Sequence, residues 1–202
     1  SKMTRAQNMT RDGRPYADRI LEVLGDLATL AAKEDDDSVT DLLRVRPVKK
    51  TLAILVTPDR GLAGALVGNL QRAAGVFIQE TEGDVSVIGV GRKGERFITR
   101  TGNDLMAAFS VPDRPRLDDT VAISRMLMDE YSSQRVDRVV LIYARFVNTA
   151  VQTVTVQQLL PVEPPQRGEG DVEKLDQFDY IYEPSISEVL ASLVPRYVET
   201  EV

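Results

Sequence analysis

Three short runs dominate what this chain can become. Thr51–Val56 (TLAILV), Val85–Val90 (VSVIGV) and Arg138–Phe146 (RVVLIYARF) are almost unbroken in apolar, mostly β-branched residues. A strand that is apolar at nearly every position, not at every second one, is buried on both faces, as strands of a parallel sheet are. Parallel neighbours need crossover connections, and the segments between the runs carry helical spacing. Ala65 to Glu80 reads as helix, and Leu117–Gln134 places Val121, Ile123, Met126, Leu127 and Tyr131 on one stripe. A shorter helix is predicted near Glu95–Arg100, followed by a strand at Leu105–Ser110. Ala150–Leu160 alternates Val with Thr or Gln and pairs with Arg138–Phe146 through a turn at Asn148-Thr149. The pattern predicts an α/β fold: a mostly parallel sheet with helices on both faces and one antiparallel edge.

The two ends read differently. Residues 1–33 predict a helix with Ile20, Val23, Leu24, Leu27, Leu30 and Ala31 on one stripe, interrupted at Pro15. The acidic run Glu34–Asp37 ends it. Ser185-Ile-Ser-Glu188 is a capping box that opens a second helix, running to Val202. Upstream of Pro15 only Met3, Ala6 and Met9 are plausible core positions, so that first stretch cannot bury much on its own and reads as a helix that needs a partner.

Composition narrows the chemistry. The chain has no Cys and no His, so Ser-His-Asp and Cys-His nucleophile systems and the usual zinc ligand sets are ruled out. The apolar and charged contents, 43% and 28%, suit a globular chain. No run approaches the ~20 apolar residues of a membrane helix, and the polar start lacks a signal peptide's apolar core; a soluble intracellular protein is the expectation. The net charge of −6 disfavours a dedicated nucleic-acid binder. It is unevenly spread: residues 1–20 carry five Lys or Arg against two Asp, whereas residues 163–202 carry ten Asp or Glu against three Lys or Arg.

Two loops invite a functional reading. Gly89-Val90-Gly91-Arg92-Lys93-Gly94 spells G-x-G-x-x-G, the dinucleotide fingerprint, in which glycines admit a pyrophosphate to a helix N-terminus. The fingerprint normally follows the first strand, whereas this copy follows the second, and the acidic residue about twenty positions on, Asp113, lies in a turn, VPDRP. The loop therefore reads first as a tight turn. Asp59-Arg-Gly-Leu-Ala-Gly64 follows the first strand but lacks the G-K-[ST] ending of a phosphate-binding loop; Asp59 is expected to cap the helix after it. Asp118 and Asp119 suit the first turn of their helix without a metal.

Five blocks taken together go further. SKMTRAQ with RPYADRILEVLGDLA, TPDRGLAGAL, GVGRKG, YARFVNTAVQ with QQLLPV, and DYIYEPSISEVLASLVPRYVE occur in this order across the chain. Together they closely resemble the gamma subunit of F-type ATP synthase, with Thr57-Pro58, Ala63 and Ala65 departing from the family's usual second block. The resemblance implies a Rossmann-like domain at 35–184, between helices at 1–34 and 185–202 that begin an antiparallel coiled coil. It implies a central-stalk rotor subunit that couples proton-driven turning of the c-ring to the catalytic sites of the alpha and beta subunits. It also implies no catalytic residue, cofactor or metal of the chain's own. Epsilon and the c-ring are the implied partners of Tyr180, Tyr182 and Glu183, and the location is peripheral, at the cytoplasmic face of the bacterial plasma membrane. Family members extend before Ser1 and past Val202, so the chain is expected to lack much of the shaft. The alternative is a stand-alone nucleotide-binding protein that uses Gly89–Gly94.

Overall fold

The computed structural model describes residues 15–27, 41–59, 64–110, 112, 117–147, 151–163 and 196. By internal contacts the chain divides into two units, Ser1–Arg44 with Val162–Glu201, and Val45–Pro161.

In the first unit residues 15–27 form helix α1. Ala17, Ile20, Leu24 and Leu27 are buried along it, the 3–4 spacing of one helical face. Pro15 is the first described residue of this helix. A 3₁₀ turn at Asp41–Leu43 buries Leu42, whose carbonyl accepts the Val162 N–H at 2.9 Å. The capping box at Ser185–Glu188 lies outside the described residues.

The second unit is built on strands β1 (Lys50–Val56), β2 (Asp84–Val90), β3 (Asp104–Phe109), β4 (Arg138–Phe146) and β5 (Gln152–Leu160). Their order in the sheet is β3-β2-β1-β4-β5. The first four are parallel and β5 runs antiparallel to β4. β1 is central and fully inside the sheet, which is why its apolar run alternates so little. Asn148 and Thr149 fall outside the described residues; on either side of them the Val147 N–H reaches the Val151 carbonyl at 3.1 Å.

Helices α2 (Leu66–Glu80), α3 (Arg92–Thr101) and α4 (Leu117–Ser132) fill the crossovers. Leu70 and Ala74 of α2 and Ile98 of α3 pack with Ala53, Leu55, Val87, Val140 and Ile142 on one sheet face. Leu52, Ile54, Ile88 and Leu141, also buried, point to the opposite face because strand residues alternate. The β3-to-β4 connection crosses back over β2 and β1, and its right-handedness carries α4 over that second face. There Ile123, Leu127 and Tyr131 are buried. Helices on both faces of a parallel sheet are thus realised as the strand runs require.

At the N-terminal ends of β1 and β4 a charged latch closes the sheet. Asp137 accepts the Lys49 and Lys50 N–H groups at 2.9 and 3.0 Å and the Arg46 Nε at 3.0 Å. Arg46 also donates to the Tyr131 carbonyl at 2.6 Å and stacks over the Tyr131 ring at 4.1 Å. Burial works against the Asp137 charge, but those two amides and the guanidinium outweigh it and hold the carboxyl below its ordinary value. Burial pushes the Tyr131 hydroxyl the other way, above its ordinary value, against the pull of Arg46.

Candidate functional site

The strand order reverses between β1 and β4, and ligands of open α/β sheets bind beyond the carboxyl ends of the strands near such a switch point. Thr57 and Asp59 stand at that end of β1, and the G-x-G-x-x-G loop is their neighbour on β2. The structure brings these two sequence features together.

Gly89 is the penultimate residue of β2, Gly91 precedes α3 with φ +94°, and Gly94 is buried in the first turn of α3. The Asp59 carboxylate accepts the Arg92 N–H at 2.6 Å, and the Thr57 hydroxyl oxygen accepts the Gly94 N–H at 2.9 Å. The Gly91 N–H goes to the Phe109 carbonyl at 2.9 Å, and the Thr57 hydroxyl donates to the Val90 carbonyl at 3.3 Å. Arg92 Nε adds a contact to Asp59 at 3.5 Å; its side chain is 65% exposed, so that pair contributes little. In a dinucleotide fold these amides point at a phosphate. Here they point at the chain's own oxygens, and a carboxylate already sits where an anion would come.

The glycines have a packing reason instead. A Cβ on Gly91 would stand 2.3 Å from the Thr57 carbonyl oxygen, and one on Gly94 would stand 3.1 Å from Thr57 Oγ1. Positive φ at Gly91 and the close approach at Gly94 both serve to seat α3 on the end of β1. The expected local cap is therefore corrected: Asp59 caps α3, not α2, whose start at Ala65 has no side-chain hydrogen bond. α3 also begins three residues earlier than the sequence pattern suggests, since Asp59 and Thr57 satisfy first-turn amides that glycine-rich sequence would leave open.

Asp118 and Asp119 fall at the first turn of α4. Among the described residues no three Asp or Glu side chains gather into a set that could hold a metal ion. Asp113, Tyr180, Tyr182 and Glu183 lie outside the described residues. Lys93, Arg96 and Arg100 of α3, with Phe97, line a groove against Val67 and Gln71 of α2. The 93-96-97-100 spacing is legible in sequence, but the facing wall from α2 is not.

No described helix is long and apolar enough to cross a membrane. The family model described as ATP synthase matches residues 1–202. The ATP synthase gamma chain of Dehalococcoides mccartyi strain BAV1 is 43% identical over all of this chain and 69% of its own length. That of Roseiflexus castenholzii is 44% identical over all of this chain and 69% of its own length. A chain of the Tetrahymena thermophila mitochondrial ATP synthase central stalk and c-ring structure aligns over 96% of this chain and 88% of its own, with a TM-score of 0.59 and 19% identity. That likeness speaks to the fold alone. The identity to the curated relatives, over the whole chain, assigns the family: the chain belongs to the ATP synthase family, as one of its gamma chains.

Proposed function

We propose that this chain is the globular part of a central-stalk rotor subunit, transmitting rotation between a membrane ring and catalytic subunits. The observation that carries the reading is the match to gamma chains along its whole length. The chain works without catalytic groups of its own: it has no His or Cys, and the one loop spelled like a nucleotide cradle is filled by Asp59 and Thr57. Its partners are the alpha and beta subunits, epsilon and the c-ring, and its place is peripheral, at the cytoplasmic face of a bacterial plasma membrane. Residues 1–34 and 185–202 belong to the two shaft helices, and 35–184 to the domain at the foot. The apolar stripe of α1 supports the first of these, since a coiled-coil helix buries one face.

Tyr180, Tyr182 and Glu183 serve as the contact with epsilon and the c-ring, as aromatic residues beside a carboxylate suit an interface with a polar rim. The test is purification of the full-length chain through a tagged alpha subunit. Beta, epsilon and the c-ring are expected to accompany it. Tyr182→Ala with Glu183→Ala lowers retention of epsilon and the c-ring and leaves the melting temperature unchanged. Unchanged retention, or a chain that no longer folds, would remove the contact role.

A further inference from the structure

We propose that the groove between α2 and α3 docks an acidic segment of a partner protein. The groove encloses about 360 Å³. Lys93, Arg96 and Arg100 rise along one side at helical spacing, Val67 and Phe97 form an apolar floor, and among the described residues no acidic side chain lines it. Arg96 and Arg100 are exposed, and neither is ion-paired among the described residues. α3 carries four Lys or Arg and a single Glu in a chain whose net charge is −6, so its cationic face stands against the sign of the whole.

Charge complementarity selects the occupant. Three cations around a concave apolar floor fit a short acidic stretch that also presents an apolar residue: the floor supplies buried area and the arginines set sign and register. A bilayer is the poorer fit, because anionic membranes are read by clusters of about four to eight Lys or Arg on a surface that lies flat against them. A nucleic acid is poorer still, since phosphate backbones favour a broadly basic domain.

The test uses the full-length chain in cells, with photoreactive p-benzoylphenylalanine at Val67 on the groove floor. The expected result is attachment to a protein segment with an excess of Asp and Glu. Cross-link yield should fall about tenfold in the Arg96→Glu, Arg100→Glu variant and return when the acidic residues of the attached segment are changed to Lys. Arg96→Gln with Arg100→Gln serves as the folding control and should leave the melting temperature unchanged. Attachment to lipid, to a segment without acidic excess, or a yield indifferent to charge reversal overturns the proposal, as does no attachment at all. An acidic segment from outside the synthase leaves the groove assignment standing and counts separately from the rotor reading.

Discussion

Thr57 and Asp59 end β1 by reaching across to α3, and the two contacts differ in what replaces them when they are lost. Gly94 is buried, so Thr57→Val leaves its N–H without an acceptor and costs about 1–3 kcal/mol. Arg92 lies at an exposed hydrogen bond, so Asp59→Ala lets water in and costs about 1 kcal/mol, the usual loss of a cap. Urea titration should rank the threonine change as the larger of the two; the reverse order would mean that the carboxylate, not the hydroxyl, seats the helix. The Asp137 latch makes a second prediction. Its folded carboxyl binds a proton less readily than an unfolded one, so its contribution is complete above the ordinary value of 3.8 and is lost as pH falls below it. Asp137→Asn should weaken the protein near about pH 7 and flatten the fall in stability toward about pH 3. An equally steep acid limb in the variant would assign that limb to other carboxylates.

Among the elements, protection should follow sheet position. β1 is paired on both sides and covered on both faces, whereas β3 and β5 are the edges among the described strands. Hydrogen exchange is expected to be slowest in β1 and β4 and faster by orders of magnitude along the outer edge of β5. Uniform protection across the five strands would indicate that something pairs with the edge. The central strands were readable because burial on both faces leaves a long apolar run, and β5 from its Val and Thr or Gln alternation, although its burial does not alternate but deepens toward Leu159 and Leu160. The start of α3 was not readable: its acceptors, Asp59 and Thr57, stand 33 and 37 residues before the amides they bind, and capping is read from adjacent residues. Arg46 and Asp137 meet across 91 residues for the same reason. Of the candidate sites, the glycine spelling was visible but its filling was not, because only the fold brings the end of β1 to it.

At the scale of the whole molecule, a sheet that could have been a nucleotide-binding domain fills its glycine loop with its own Asp59 and Thr57 oxygens. That suits a subunit that acts by position: its effect on ATP chemistry passes through other chains. The absence of Cys throughout residues 1–202 makes the most direct test practical. A single Cys at exposed Glu82, between α2 and β2, would carry a bead on the full-length chain assembled with its alpha and beta subunits and held by them to a surface. During ATP hydrolysis the bead is predicted to turn in one direction; a stationary bead on a complex that hydrolyses ATP would contradict the rotor account.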